Sequence, residues 1–252
     1  MSDQWILEVK DLTKDFGGVR AMDEVSFGLR PGESLGIIGP NGSGKTTLAN
    51  LITGFVRSDH GSVSFRGERI TGIAPYAIAQ RGLARTFQMA RPFYRLPAFK
   101  NLEIPLFSPR VRKLAGGRYG DRDAIAIDLL EEVGFERDSF VPFKPASALP
   151  HGYLKRLELA RCLALRPDLV ILDELFSGLS LAEVASTVPI IEKLQTEGKT
   201  LIMIEHRLRE LFRIVDRVIV LNFGRKIAEG NPREVMESDE VKRAYLGTET
   251  DG

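Results

Sequence analysis

Eight consecutive residues, Gly39 to Thr46, have the types and spacing of a phosphate-binding loop, the pattern G-x-x-x-x-G-K-[ST]. The glycines permit a backbone path that turns successive N–H groups inward, and the N-terminus of a following helix adds partial positive charge where phosphate oxygens would lie. The lysine of this pattern reaches the β- and γ-phosphates of a nucleotide, and the next hydroxyl binds Mg²⁺. A chance glycine-rich turn is the alternative. The predicted phosphate-binding residues are Gly39, Pro40, Asn41, Gly42, Ser43, Gly44, Lys45, Thr46 and Thr47.

Two adjacent carboxylates, Asp173 and Glu174, follow an apolar run at residues 169–172 that has the composition of a buried strand. In open α/β sheets, ligands bind at the carboxyl ends of the strands. Asp173 is therefore expected to hold Mg²⁺ directly or through water, and Glu174, which points the other way, to polarise an attacking water. The alternative is that these acids only cap the helix after the strand, which is common at such turns.

The segments around the glycine-rich loop predict the elements that position it. Residues 34–38 form a predicted strand and residues 45–53 a predicted helix, so the loop connects a strand to a helix, as the motif requires. Apolar and polar residues alternate before the loop, which predicts a small antiparallel sheet. The other elements predicted in this part of the chain are strands at residues 5–12, 25–29, 62–65 and 82–87 and a helix at residues 75–81.

The pattern changes between residues 89 and 147, where Pro92, Pro97, Pro105, Pro109 and a Gly-Gly pair break the chain into short segments around one clear helix at residues 121–133. This stretch predicts a mostly helical insertion. Helices and strands then alternate, which indicates right-handed βαβ units around a parallel sheet. The later predicted elements are helices at residues 152–165 and 181–197, strands at residues 169–172 and 200–204, and a hairpin around residues 222–224 followed by short helices.

Composition narrows the classes of protein that fit. With 252 residues, of which 43% are hydrophobic and 27% charged, the chain is long enough for a sizeable core. Its net charge of +1 gives no reason to expect a nucleic-acid partner. We expect no membrane span and no signal peptide, since no apolar run is long enough and the first residues are neither basic nor apolar. The single cysteine, Cys162, excludes an internal disulfide and fits the cytoplasm.

Three further residues, in this order and spacing, give the chain a family resemblance: Phe16 before the loop, Gln88 in the segment Thr86-Phe87-Gln88, and His206 after the strand that follows the carboxylates. The chain resembles the ATPase subunits of ATP-binding cassette transporters. The resemblance implies an α/β fold, a P-loop NTPase with a RecA-like parallel sheet core, an N-terminal antiparallel β subdomain and a helical subdomain. It implies one domain at residues 1–247, with the core at residues 1–88 and 166–247, the helical subdomain at residues 89–165, and a tail at residues 248–252.

The resemblance also implies roles. Phe16 stacks on adenine, Gln88 senses the metal and the γ-phosphate, and His206 contacts the γ-phosphate. The cofactors are ATP and Mg²⁺, and the protein is peripheral, on the cytoplasmic face of the inner (plasma) membrane. Permease subunits are expected to dock between Met89 and Leu106, although the aromatic residues there could equally form a small core. The chain is not expected to touch the transported solute.

The chain departs from the family pattern at the residues that such a subunit lends to a partner's ATP. The family's Leu-Ser-Gly-Gly-Gln signature is replaced by Leu149, Pro150, His151, Gly152 and Tyr153, and its D-loop aspartate by Ser180. Pro150 removes a hydroxyl and an N–H, and a hydrogen bond to a charged group is worth about 1.5 to 3 kcal/mol. The amide of Gly152 is expected to remain available, which predicts weakening of the partner's site. A heterodimer with a second ATPase subunit is favoured, and a homodimer is the alternative.

Several segments resemble the subfamily that imports branched-chain amino acids, among them Gly82-Leu83-Ala84-Arg85-Thr86-Phe87-Gln88 and Ala244-Tyr245-Leu246-Gly247. Those importers use two distinct ATPase subunits, which agrees with the heterodimer hypothesis. Systems for urea or short amides remain open as alternatives. Two other classes also remain: a cassette ATPase without a transport role, and an ATP-dependent clamp with weak turnover.

Overall fold

A computed structural model describes residues 5–87, 91–116 and 120–246 of the chain. Within these residues, ten strands form one four-stranded and one six-stranded sheet. The strands are β1 (Leu7–Phe16), β2 (Val19–Leu29), β3 (Ser34–Ile38), β4 (His60–Phe65), β5 (Glu68–Arg69), β6 (Leu83–Arg85), β7 (Leu169–Asp173), β8 (Thr200–Ile204), β9 (Arg217–Asn222) and β10 (Arg225–Gly230).

The helices lie between and after these strands, together with short 3₁₀ turns at Phe99–Leu102, Val141–Phe143 and Ala146–Ala148. The helices are α1 (Lys45–Ile52), α2 (Pro75–Arg81), α3 (Glu103–Leu106), α4 (Pro109–Leu114), α5 (Arg122–Glu132), α6 (His151–Leu163), α7 (Leu181–Thr196), α8 (Leu208–Ile214), α9 (Pro232–Glu237) and α10 (Asp239–Leu246).

The four-stranded sheet is antiparallel, with the order β2-β1-β4-β5, and confirms the small sheet predicted before the loop. Its strands are longer than predicted. β1 passes through irregular pairing after Val9 and continues to Phe16, and β2 begins at Val19. Phe16 pairs with Val19, so the Gly17-Gly18 turn brings Phe16 to the tip of this hairpin.

The six-stranded sheet has the order β10-β9-β3-β8-β7-β6, and every pair but β10 with β9 is parallel. All residues of β3, β7 and β8 are buried, as expected for parallel strands covered on both faces. The predicted α/β fold with a parallel core is therefore confirmed. Because β3, β8 and β7 are neighbours and parallel, the segments that follow them meet at one edge of the sheet.

The core has two parts, one on each face of the parallel sheet. One joins that face to the antiparallel sheet and to α1, with Leu35, Ile37 and Leu48 among its members. The other packs α5, α6 and α7 against the opposite face, around residues such as Leu130, Leu157 and Ile191. The division of the chain into a core and a helical subdomain at the stated boundaries remains a prediction.

Candidate functional site

The glycine-rich loop leaves β3 and enters α1, as its pattern predicts. Gly39 has φ 150°, and a β-carbon built on it would lie 2.1 Å from the carbonyl oxygen of Leu221, so only glycine fits there. Gly44, with φ 105°, is the N-cap of α1, and Leu48 N–H donates to its carbonyl at 2.8 Å. The first N–H groups of α1 therefore face the loop, where they are available to an anion.

Lys45 is buried at the start of α1 and folds back over its own loop. Its Nζ donates to the carbonyl oxygens of Gly39 at 2.7 Å and Pro40 at 2.9 Å. Burial lowers the pKa of Lys45, while the carboxylates of Glu174 and Asp173 act in the opposite direction. The charge needed to neutralise phosphate thus lies at the loop, within the field of the two acids.

Asp173 ends β7 and is buried, with its two carboxylate oxygens in different environments. Oδ2 accepts from Arg85 Nη2 at 2.6 Å. Among the described residues, Oδ1 has no hydrogen-bond partner. The backbone N–H of Asp173 donates to Thr86 Oγ1 at 3.0 Å, which fixes the main chain under this side chain.

Glu174 has φ 50°, a left-handed conformation that is uncommon outside glycine and clusters at functional sites. Its N–H donates to Ile204 O at 2.8 Å, and its carbonyl accepts from the buried Lys155. Its Oε1 lies 3.2 Å from His206 Nε2. The ends of β7 and β8 therefore pair the two residues that the sequence assigned to water activation and to the γ-phosphate.

Phe16 and Gln88 are the other two residues that the sequence assigned to the nucleotide site. Phe16 is half-exposed at the hairpin tip, with Lys14 Nζ over its ring, 5.2 Å from the ring centroid. Gln88 lies outside the described residues.

The residues that replace the family signature lie at the start of α6. Pro150 is the N-cap, and no side-chain hydrogen bond from this residue caps the helix in the described part of the chain. The ring of Tyr153 packs edge-on against Phe135, with centroids 4.9 Å apart, and Leu149 is buried. His151 lies against the segment before α7, its Nε2 3.5 Å from Ser177 O.

The Gly152 amide, expected to serve a partner's phosphate, has an acidic side chain of the same chain as its neighbour. Glu183 of α7 lies over this glycine, because a β-carbon built on Gly152 would be 2.5 Å from Glu183 Oε1. Hydrogen bonds from Ser180, first from its N–H and then from its hydroxyl, and from the N–H of Gly152 lower the pKa of Glu183. Glu183 also forms a capping box with Ser180. A carboxylate from the same chain thus lies beside the amide expected to serve a partner's phosphate.

Several buried charged residues at the site were missed from the sequence. Arg85 pairs with Asp173, Lys155 donates to Glu174 O, and Glu205 accepts from Phe176 N–H at 2.9 Å. Burial raises the pKa of Glu205 to about 7. Glu158 accepts from Phe87 N–H next to Gln88, and burial raises its pKa. The available signal was position, since Arg85 and Glu205 end or follow buried strands as Asp173 does.

A cavity of about 900 Å³ opens beside this cluster. Its walls come from α1, α2, β6, α6 and the segment around Ile104 and Pro105, and they reach Thr46 and Asp173. Exposed Tyr76 and Ile104 make much of the rim apolar. The cavity includes part of the region between Met89 and Leu106, where a docking partner was expected.

The described residues contain neither a cluster of metal-binding side chains nor a membrane-spanning helix. No group of three or more His, Cys, Asp and Glu side chains there could hold a metal ion. No described helix has both the length and the apolar content to cross a bilayer.

Comparisons with known proteins agree with this geometry. A family model described as ABC transporter matches residues 22–177, and one described as branched-chain amino acid ATP-binding cassette transporter matches residues 225–251.

Whole-chain relatives carry related descriptions. The chain is 35% identical to the high-affinity branched-chain amino acid transport ATP-binding protein BraF of Pseudomonas aeruginosa, over 96% of this chain and 98% of that protein. It is 34% identical to the protein LivG of Escherichia coli, which has the same description, over 97% and 98%. A crystal structure of the ADP conformation of an ATP-binding cassette of an ABC transporter superposes with a TM-score of 0.83 at 31% identity, covering 96% of this chain and 98% of that chain.

Proposed function

The chain belongs to the ATP-binding cassette transporter family, and from this premise we propose that it is the ATP-hydrolysing subunit of an importer for branched-chain amino acids or related small amides. The observation that carries the catalytic part is the Glu174–His206 pair at 3.2 Å, beside the phosphate loop. The solute class is supported by the match over residues 225–251 and by the descriptions of BraF and LivG.

Nucleotide binding uses the loop and the residues around it. The N–H groups at the start of α1 bind the phosphates, and Lys45 exchanges its bonds to Gly39 and Pro40 for bonds to phosphate oxygens. Phe16 stacks on the adenine ring from the hairpin tip.

The residues present also fit Mg²⁺, because Asp173 Oδ1 is buried and has no partner among the described residues. Thr46 and Asp173 would hold the ion together with phosphate oxygens, which is the usual arrangement for this cation, and Gln88 would complete the site. Bound there, Mg²⁺ supplies positive charge to the β- and γ-phosphates.

In the chemical step, Glu174 orients and polarises the attacking water from a backbone that is held at φ 50° by the hydrogen bond of its N–H to Ile204 O. His206 contacts the γ-phosphate and, with Lys45, balances the charge that develops there. The 3.2 Å contact lets Glu174 and His206 hold each other before ATP arrives.

Subunits of this family dimerise and act with membrane permease components. We place the permease contact in the 900 Å³ cavity, whose rim includes exposed Tyr76 and Ile104, and the protein on the cytoplasmic face of the inner membrane. For the ATPase partner we favour a different subunit, because Pro150 and the Glu183 carboxylate weaken the half-site that this chain would offer to an identical copy.

Reconstitution tests this proposal. The chain, purified with its membrane partners in vesicles, should hydrolyse ATP and accumulate leucine or valine, while urea and acetamide are scored in parallel as the alternative solutes. Glu174→Gln in the same complex should abolish uptake but keep ATP binding. Hydrolysis by the isolated chain that is robust and cooperative would count against the heterodimer.

One observation favours a second candidate, an ATP-dependent clamp with weak turnover. It is the Glu183 carboxylate beside Gly152, which would compete with a partner's phosphate for this amide and slow hydrolysis in the site completed by this chain. Equal ATP trapping by the wild type and by Glu174→Gln would support the clamp.

A further inference from the structure

Arg85 is a buried cation in the middle of the site, and the sequence analysis assigned no role to it. It ends β6, and its side chain is 5% exposed. Nη2 donates to Asp173 Oδ2 at 2.6 Å, while Nη1 donates to Asn50 Oδ1 at 2.7 Å and Thr53 Oγ1 at 3.2 Å. One planar guanidinium therefore contacts two different elements, as its fork geometry allows.

Asn50 of α1 and Thr53, the C-cap of this helix, share a helical face with Thr46. Positions 46, 50 and 53 are spaced i, i+4 and i+7, so their side chains lie in one stripe, and all three line the same cavity. Arg85 thus connects the helix that carries Thr46 to the strand that carries Asp173.

The contact also fixes which oxygen of Asp173 is free. Arg85 occupies Oδ2, and Thr86 fixes the backbone, so Oδ1 is left without a partner in the part of the chain that the structure describes. Second-layer groups of this kind orient metal ligands, and their loss typically lowers metal affinity by about 10- to 100-fold.

We propose that Arg85 is a positioning residue for the divalent cation that accompanies ATP: it sets the spacing between Thr46 and Asp173 and presents Asp173 Oδ1 to the ion. This inference rests on the proposed function, because it concerns the same nucleotide site. Arg85 itself does not touch the cation or the phosphates.

Arg85→Lys tests the proposal, since lysine keeps the charge but cannot contact Asp173 and Asn50 together in a fork. Mn²⁺ is titrated into equimolar chain and ATP in a Glu174→Gln background, and EPR separates protein-bound from free Mn²⁺·ATP. We expect the dissociation constant for Mn²⁺ to rise by about 10-fold. ATP affinity in EDTA should stay unchanged.

Arg110→Lys is the matched control, because Arg110 pairs with Asp168 at 3.0 Å and donates to the carbonyl of Leu165, which lines the same cavity, and is hydrogen-bonded to neither Thr46 nor Asp173 among the described residues. It should leave Mn²⁺ affinity unchanged. Equal Mn²⁺ affinity for both lysine variants, or tighter binding by Arg85→Lys, overturns the proposal, the second by showing that Arg85 competes with the ion.

Asn50→Ala keeps the test decisive if circular dichroism shows that Arg85→Lys fails to fold. It removes one hydrogen-bond partner of Arg85 and keeps the buried ion pair. Mn²⁺ binding should therefore weaken by roughly threefold, which is less than the affinity lost when a whole second-layer group is removed. An unchanged affinity here also overturns the proposal. A background chain that binds no ATP, with or without metal, contradicts the proposed function itself, which separates that failure from this one.

Discussion

The half-site that serves the chain's own nucleotide and the half-site that faces a partner are stabilised in different ways. The first lies at the ends of β3, β7 and β8, where buried strands fix Lys45, Asp173 and Glu174. The second lies at the N-termini of α6 and α7, where Glu183 forms the α7 capping box with Ser180 and lies against Gly152 of α6. The chemistry of the first half therefore depends on the core, whereas the second can change sequence without disturbing the sheet.

The largest effect is expected from a substitution that is confined to the first half-site. Glu174→Gln should lower ATP hydrolysis by on the order of 100-fold or more, because positioned acid–base groups contribute about 10²- to 10⁴-fold. Phosphate release by the assembled complex measures this. ATP binding should persist, and a small loss of turnover would mean that Glu174 does not activate the water.

Glu205 connects the two halves, since it precedes His206 and holds Phe176 N–H at the start of the segment leading to α7. Burial is the largest effect on the pKa of Glu205 and raises it from 4.5 to about 7. The hydrogen bond from Phe176 N–H lowers this pKa by a smaller amount, and neighbouring charges have smaller effects still. The folded state binds more protons than the unfolded state between these values. The contribution of protonated Glu205 to the free energy of unfolding is therefore complete below pH 4.5, and it is lost as the pH rises through about 7.

Glu205→Gln removes this titration and keeps an acceptor for Phe176 N–H. Relative to the wild type, the variant should gain on the order of 3 kcal/mol in free energy of unfolding between pH 5 and pH 8, since one pKa unit is worth about 1.4 kcal/mol. Urea titrations at the two pH values measure the gain. Glu132→Gln, an exposed position on α5, should show no such trend, and an equal trend in both variants would contradict the buried origin.

The sequence predicted the two half-sites to different extents. The phosphate loop, the parallel sheet and the order of the elements followed from local patterns, because buried strands and glycine spacing leave a direct record in the chain. The partners of Arg85 and Glu183 did not, since Asp173 is 88 residues from Arg85. Only the fold brings Gly152 and Glu183 together. The signature segment alone therefore could not predict that a carboxylate lies beside the Gly152 amide.

Pro150→Ser sharpens the comparison by repairing the second half. A serine restores a hydroxyl for the partner's γ-phosphate, worth about 1.5 to 3 kcal/mol, which predicts roughly a 10-fold rise in hydrolysis at that site. The rate is measured in a heterodimer in which this chain carries Glu174→Gln and the partner's glutamate is intact. Pro150→Ala separates loss of the ring from gain of the hydroxyl, and an equal rise in both would exclude the hydroxyl.

The smallest expected effect concerns the carboxylate over Gly152. Glu183→Gln keeps acceptor and donor atoms for the Ser180 cap but removes a negative charge from the end of α6, where a partner's γ-phosphate would approach. Removing a negative charge from the place where a partner's phosphate approaches should tighten ATP-dependent dimerisation, by a few-fold at most because the group is solvent-screened. Analytical ultracentrifugation with ATP, in the Glu174→Gln background, measures this. Glu192→Gln, on the same helix and paired with Arg213, is the matched control. If both variants tighten the dimer equally, net charge is responsible, and the two halves differ at Pro150 and not at Gly152.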